Sequence, residues 1–185
     1  TTLFRSYQPI YISGCFIYKT SHLCSNFTMV HLAGLLPEEI NDRLDFSKTY
    51  RGTQLFKALH SGVSTIDAIT TLPKELRQSL KERALIFSTT LHKQISDSDG
   101  STKYQIALPD VFIVESVLLR DNKNRKTACL STQAGCAVGC AFCKTGTMGL
   151  HRNLDTSEMV EQLLHMHNQD GPISNIVFMG MGEPL

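Results

Sequence analysis

The chain has 185 residues, 42% of them hydrophobic and 19% charged, a composition that excludes a disordered protein and suits one domain or two small ones. Formal net charge is +1 and the pI about 7.6, so no global charge demands nucleic acid or an anionic membrane surface. No apolar run approaches the roughly 20 residues of a spanning helix, and the expectation is a soluble, cytoplasmic protein that touches no membrane.

Residues 1–28 carry scattered aromatics, Cys15 and Cys24, without a period of 3.6 or 2. They read as an extension without an assigned role ahead of Met29, a candidate natural start. A signal peptide is the rival reading, because Arg5 precedes an apolar stretch, but no small-residue cleavage pattern follows. Residues 29–84 read as a small helical accessory domain. Pro37 stands at a first helical position with Glu38 and Glu39 behind it, where acidic side chains meet the positive helix end. Residues 48–60 place Leu55, Phe56 and Leu59 on one helical face before Ser61-Gly62 ends the run. Ser64 with Asp67 resembles a capping box, and Pro73 opens a further helix with Leu76, Leu80 and Ala84 at helical spacing. A module of this size is too small for a comfortable core and is expected to lean on the rest of the chain.

From residue 85 the period changes. Segments 85–95, 103–108 and 111–119, separated by Asp97-Ser98-Asp99-Gly100 and Pro109-Asp110, predict a β meander over 85–126. A strand over 127–132 then leads into a cysteine-rich loop, a helix over 156–168 and an apolar strand over 176–179. Strand, loop, helix, strand is a βαβ unit with a parallel pair, so 127–185 read as the start of an α/β sheet or barrel.

Four of the six cysteines, Cys129, Cys136, Cys140 and Cys143, crowd into 15 residues, which suits metal or redox chemistry in a reducing compartment better than loop stapling. Cys136-Ala-Val-Gly-Cys140-Ala-Phe-Cys143 has the spacing C-x3-C-x2-C. Three thiolates on so short a loop can hold three irons of a [4Fe-4S] cube and leave the fourth open to a substrate amine and carboxylate. Zinc is the competing metal, but structural zinc generally takes four ligands in paired spacing, and His151 falls outside it. Unligated buried thiols are the remaining alternative. Gly135 and Gly139 let backbone approach an inorganic core. Met179-Gly-Met-Gly-Glu-Pro184 falls where the second parallel strand ends, the edge at which such sheets bind ligands. There Gly180 and Gly182 bare the backbone and Glu183 can accept from an ammonium. An ordinary Gly-Pro turn with a solvated Glu is the alternative. Cys129 in a strand is equally a buried thiol, Glu115 in an apolar strand equally a base or a solvent-facing residue, and Lys144 a solvated lysine. Arg120, Lys123, Arg125 and Lys126 could meet a phosphate backbone or form a plain polar turn.

The cysteine spacing with the later Gly-Glu motif resembles the radical S-adenosylmethionine superfamily. Three stretches narrow the likeness: Cys129-Leu-Ser-Thr-Gln-Ala-Gly-Cys136, Arg152-Asn153-Leu154, and Asn175 through Gly-Met-Gly-Glu-Pro-Leu185. Together they resemble the RlmN/Cfr family of RNA adenosine methyltransferases, most strongly over 114–185. The resemblance implies an N-terminal part of a radical S-adenosylmethionine partial (β/α) barrel, preceded by the helical module and the meander. It implies a [4Fe-4S] cluster on Cys136, Cys140 and Cys143, and S-adenosylmethionine held at its amino group by Gly182 and Glu183. By position Cys129 matches the family's resolving cysteine and Glu115 its proton acceptor. One S-adenosylmethionine would methylate a cysteine, and a second would be cleaved to a 5′-deoxyadenosyl radical that activates that methyl group. The carbon radical would add to C2 of an adenine, and proton abstraction and disulfide formation would release the product. Partners implied are 23S rRNA, tRNA and a flavodoxin-type electron donor. The methyl-carrying cysteine lies near the family C-terminus and has no match here, so the chain is expected to be an N-terminal fragment, inactive alone. A Cfr-type C8 methyltransferase and a non-catalytic metal- or RNA-binding module are the alternative functions.

Overall fold

The computed structural model describes residues 29–123 and 125–184; the extension with Cys15 and Cys24, and Leu185, lie outside the described residues. Strand β1 (Val30–His31) leads into helix α1 (Pro37–Leu44), which starts at Pro37. The carboxylate of Glu39 accepts the Leu36 N–H at 2.7 Å and satisfies one of the donors that a helix start leaves open. Asn41 ties α1 to α2 (Tyr50–His60): its amide donates to the Thr49 carbonyl at 2.6 Å and accepts the Gly52 N–H at 2.9 Å. Helix α3 (Lys74–Arg83) runs directly into β2 (Ala84–Leu85), which pairs in parallel with β1. Leu32, Ile40, Leu44, Leu55, Leu59 and Leu80 fill the core between these elements. The capping box expected at Ser64 and Asp67 is absent. Residues Ile66–Ala68 form one 3₁₀ turn after Thr65, with no side-chain cap, because the Asp67 carboxylate reaches instead to Lys81 on α3 at 2.6 Å.

The strand expected over 85–95 is broken in two. After β2 the chain resumes as β3 (Thr90–Ser96), and in the gap the backbone donors of Ser88 and Thr89 go to the buried carboxylate of Glu161 rather than to a strand. Strands β4 (Thr102–Ala107), β5 (Ile113–Arg120) and β6 (Lys126–Cys129) continue the meander, each antiparallel to the one before. Strand β6 stops at Cys129 rather than running on to 132. A short ribbon of β7 (Gln133–Gly135) and β8 (Leu150–Asn153) frames the cysteine loop, and periodicity gave no sign of it. Helix α4 (Thr156–Asp170) then crosses to β9 (Asn175–Val177), which pairs in parallel with β6, completing the βαβ unit in a sheet ordered β3-β4-β5-β6-β9.

The sheet has two unlike faces. Tyr104, Ile106, Val114, Leu118 and Ala128 point into a core that Met166 of α4 shares. The alternate residues Lys103, Gln105, Glu115, Val117, Thr127 and Cys129 point the other way and are only half buried, as the period of two requires.

Candidate functional site

The cysteine loop is anchored at its first residue. Cys136 is buried, and its N–H donates to the Gly149 carbonyl at 2.9 Å across the β7–β8 ribbon. The ribbon is so tight there that a Cβ on Gly135 would stand 1.9 Å from the same carbonyl oxygen. Residues 137–139, 141 and 142 are exposed while Cys140 and Cys143 are half buried; Gly139 takes φ +66° with open space on its Cβ side, and Phe142 is 94% exposed. A turn joins the last two cysteines, the Cys143 N–H donating to the Cys140 carbonyl at 3.0 Å. All three thiols are free. Among the described residues no three His, Cys, Asp or Glu side chains stand converged on one point, so the structure shares the thiols on one loop without closing them into a set. The donor set fits a cluster, with three thiols on one loop and no second C-x2-C pair to complete a zinc site. His151 is engaged elsewhere, stacked on Phe112 with centroids 4.5 Å apart.

The Gly-Glu segment lies along the chain just before the loop. The Gly180 N–H donates to the Leu130 carbonyl at 3.0 Å, and the Met181 carbonyl accepts from Thr132 and Gln133 at 2.9 and 3.2 Å. The Met181 N–H in turn donates to Ser131 Oγ at 2.8 Å. Side chains on Gly180 and Gly182 would meet protein: a Cβ at Gly180 falls 2.7 Å from the Leu130 carbonyl oxygen, and one at Gly182, with φ +102°, falls 2.6 Å from the Gln133 Cβ. The glycines thus let this segment close on its own chain. Glu183 remains exposed.

Glu115 and Cys129 share the half-buried face. Val117 stands opposite Cys129 in the β5–β6 register, so Glu115, two residues along, is a diagonal neighbour at roughly 7–8 Å between backbones. Lys103 Nζ lies 3.2 Å from the Glu115 carboxylate, and Gln105 donates to it at 3.1 Å; the Glu115 N–H faces Met181 Sδ at 3.3 Å. Burial pushes the Cys129 thiol above its ordinary range, partly offset by a hydrogen bond from the Met179 backbone. Its alkylation rate, followed on the Cys129 peptide by mass spectrometry, is therefore expected to keep rising beyond pH ~9; a plateau below pH ~8.5, the range of an ordinary thiol, would contradict this environment.

Other sequence candidates fall away from the site. Arg120 and Lys126 are spent on Asp170, and Arg125 on Asp121 at 2.7 Å, which is the plain polar turn. Lys144 is exposed. Sequence reasoning missed a buried polar layer beneath the site: Ser131, Gln133, Gln162 and Glu158 are all under 5% exposed. The Gln162 amide exchanges bonds of 2.9 and 3.0 Å with the Ser131 backbone and accepts the Ser116 hydroxyl at 2.6 Å. Glu158 grips Arg152 through two bonds of 2.7 Å, and Arg152 also holds Asp110 at 2.6 Å. No local pattern marks them, because Glu158 and Gln162 lie on α4 and find Arg152 and Ser131 only through the fold.

No protein-family model matches the chain. It is 46% identical over 154 residues to a probable dual-specificity RNA methyltransferase RlmN of Treponema pallidum, an alignment covering 83% of this chain and 45% of the relative. A dual-specificity RNA methyltransferase RlmN of Geobacter sulfurreducens is 43% identical over 161 residues, covering 85% and 44%. The crystal structure of a radical SAM methyltransferase from Sphaerobacter thermophilus superposes with a TM-score of 0.76 at 39% identity, covering 84% of this chain and 48% of that one. The chain spans somewhat under half the length of the curated relatives it matches. In sequence and fold alike, then, the chain belongs to the RlmN/Cfr family of radical S-adenosylmethionine methyltransferases.

Proposed function

We propose that this chain supplies the cofactor-binding part of an RlmN-type enzyme that methylates C2 of an adenosine in 23S rRNA and in tRNA, in the reducing cytoplasm, with electrons from a flavodoxin-type donor. Cys136, Cys140 and Cys143 would hold three irons of a [4Fe-4S] cluster, and the exposed Glu183 would accept from the ammonium of S-adenosylmethionine. When bound, the pair supplies one-electron cleavage of the sulfonium. Cys129, kept as a thiol by burial, is suited to the late, resolving step. Glu115, on the same face and held by Lys103 and Gln105, would be the proton acceptor of the reaction. The two RNA substrates are supported by the dual specificity in the relatives' names.

The observation that carries this reading is the direct join between the two halves of the site. Strand β7 runs into Cys136, and the same strand receives Met181 and Glu183. Anaerobic reconstitution with iron and sulfide, followed by electron paramagnetic resonance after reduction, tests it. A cubane signal that S-adenosylmethionine shifts is expected. Failure of a folded chain to take up iron and sulfide would overturn the cluster, and a signal indifferent to S-adenosylmethionine would overturn its ligand.

A further inference from the structure

We propose that Gln133 is a positioning residue that fixes Glu183 against the cysteine loop, so that the cluster and the ammonium anchor are held as one unit; this rests on the reading of Glu183 given above. Gln133 is 4% exposed and uses both ends of its amide. Its Oε1 accepts the Glu183 N–H at 2.9 Å, and its Nε2 donates to Asn153 Oδ1 on β8 at 2.8 Å. The orientation is forced: a backbone N–H can only donate, so the atom facing Glu183 is the oxygen and the one facing Asn153 is the NH₂.

The neighbouring glycine is part of the same device. The Cβ that Gly182 lacks would sit 2.6 Å from the Gln133 Cβ and 2.8 Å from its Cγ, so the bare backbone of the Gly-Glu pair makes room for this glutamine. Gln133 also lies on β7, three residues before Cys136, and its partner Asn153 closes the same ribbon from β8, opposite it in register. One amide therefore links the base of the cysteine loop to the main chain of the residue that meets the ligand. Because Glu183 itself is exposed, its carboxylate has little packing to hold it, and the hydrogen bond that its N–H donates to Gln133 Oε1 fixes the main chain that carries it.

Binding of S-adenosylmethionine to the reconstituted protein, titrated by the shift in the electron paramagnetic resonance signal, tests this. Gln133→Met keeps the bulk against Gly182 and removes both hydrogen bonds. It is expected to retain iron and sulfide content while weakening S-adenosylmethionine about tenfold, the equivalent of ~1.4 kcal/mol. Because it acts through Glu183, the double variant with Glu183→Gln is expected to bind no more weakly than the weaker single variant. Asn153→Leu is expected to weaken binding by a smaller factor and Asn153→Asp, which still accepts, to leave it unchanged; this pair decides the matter if Gln133→Met fails to load a cluster. If Glu183→Gln alone binds like wild type, the underlying reading of Glu183 fails. If Glu183→Gln weakens binding and Gln133→Met does not, or if the two losses add, the positioning role is overturned while that reading stands.

Discussion

Glu161→Ala is expected to lower the stability of the protein by about 2–4 kcal/mol, because two backbone donors would lose their acceptor, one of them fully buried. Glu161 is fully buried on α4, and its carboxylate receives the backbone N–H groups of Ser88 and Thr89 at 2.7 to 3.0 Å and the hydroxyls of both residues. Alanine would strand the buried Thr89 donor at about 1–3 kcal/mol and the half-buried Ser88 donor at the lower end of that range. The site also joins the two cores, since residues 88 and 89 follow directly on Ile86 of the helical core while α4 carries Met166 of the sheet core. His165, one turn along α4, completes the relay. Thr89 gives its hydroxyl proton to Glu161, so it must accept from His165 Nε2–H at 3.0 Å, and burial holds that imidazole below its ordinary value and therefore neutral. Glu161→Gln keeps one acceptor and is expected to cost less than half as much. Urea unfolding of the three proteins checks both; an alanine variant within 0.5 kcal/mol of wild type, about the spread of neutral surface changes, would show that the joint carries no stability.

What could be read from the sequence was what one short window determines. Pro37 fixed the start of α1, Leu55 and Leu59 reported the buried stripe of α2, and the turn residues between 97 and 110 separated β3, β4 and β5. The lost features depend on distant partners. Strand 85–95 is broken because Glu161, over 70 residues away, takes the donors of Ser88 and Thr89. The pairing of β1 with β2 spans only two residues each, too few for any period to register. Asp67 satisfied the pattern of a capping box but found Lys81 instead. At the site, spacing marked the three cysteines and Glu183, because ligand chemistry is written in residue types. The layer that supports them is written in geometry: Gln133, Ser131 and Gln162 are ordinary polar residues until the fold places Gln133 against Glu183, Ser131 against Met181 and Gln162 against Ser131.

Loss of any one cysteine of the loop is expected to abolish the cluster. Cys136→Ala, Cys140→Ala and Cys143→Ala should each lose most iron, sulfide and broad visible absorption after reconstitution, while Cys129→Ala keeps all three. Three thiolates brought together without a metal would repel one another, so a closed set is stable only when the cation charge of the cluster is present, and binding and loop closure form one step. Cys136 is buried and fixed through Gly149, whereas Cys140 and Cys143 are half buried on a turn closed by their own backbone hydrogen bond. Two remaining thiolates leave two irons without protein ligands, and the cube then loses its hold. Cys129 ends β6, outside the cysteine loop, with a thiol that burial pushes toward the protonated form, so its removal subtracts nothing from the ligand set. A zinc site would give colourless protein in every variant, with zinc rather than iron in the metal analysis. If Cys129→Ala lost the cluster and Cys140→Ala kept it, the ligand set would be wrong even though the family is right.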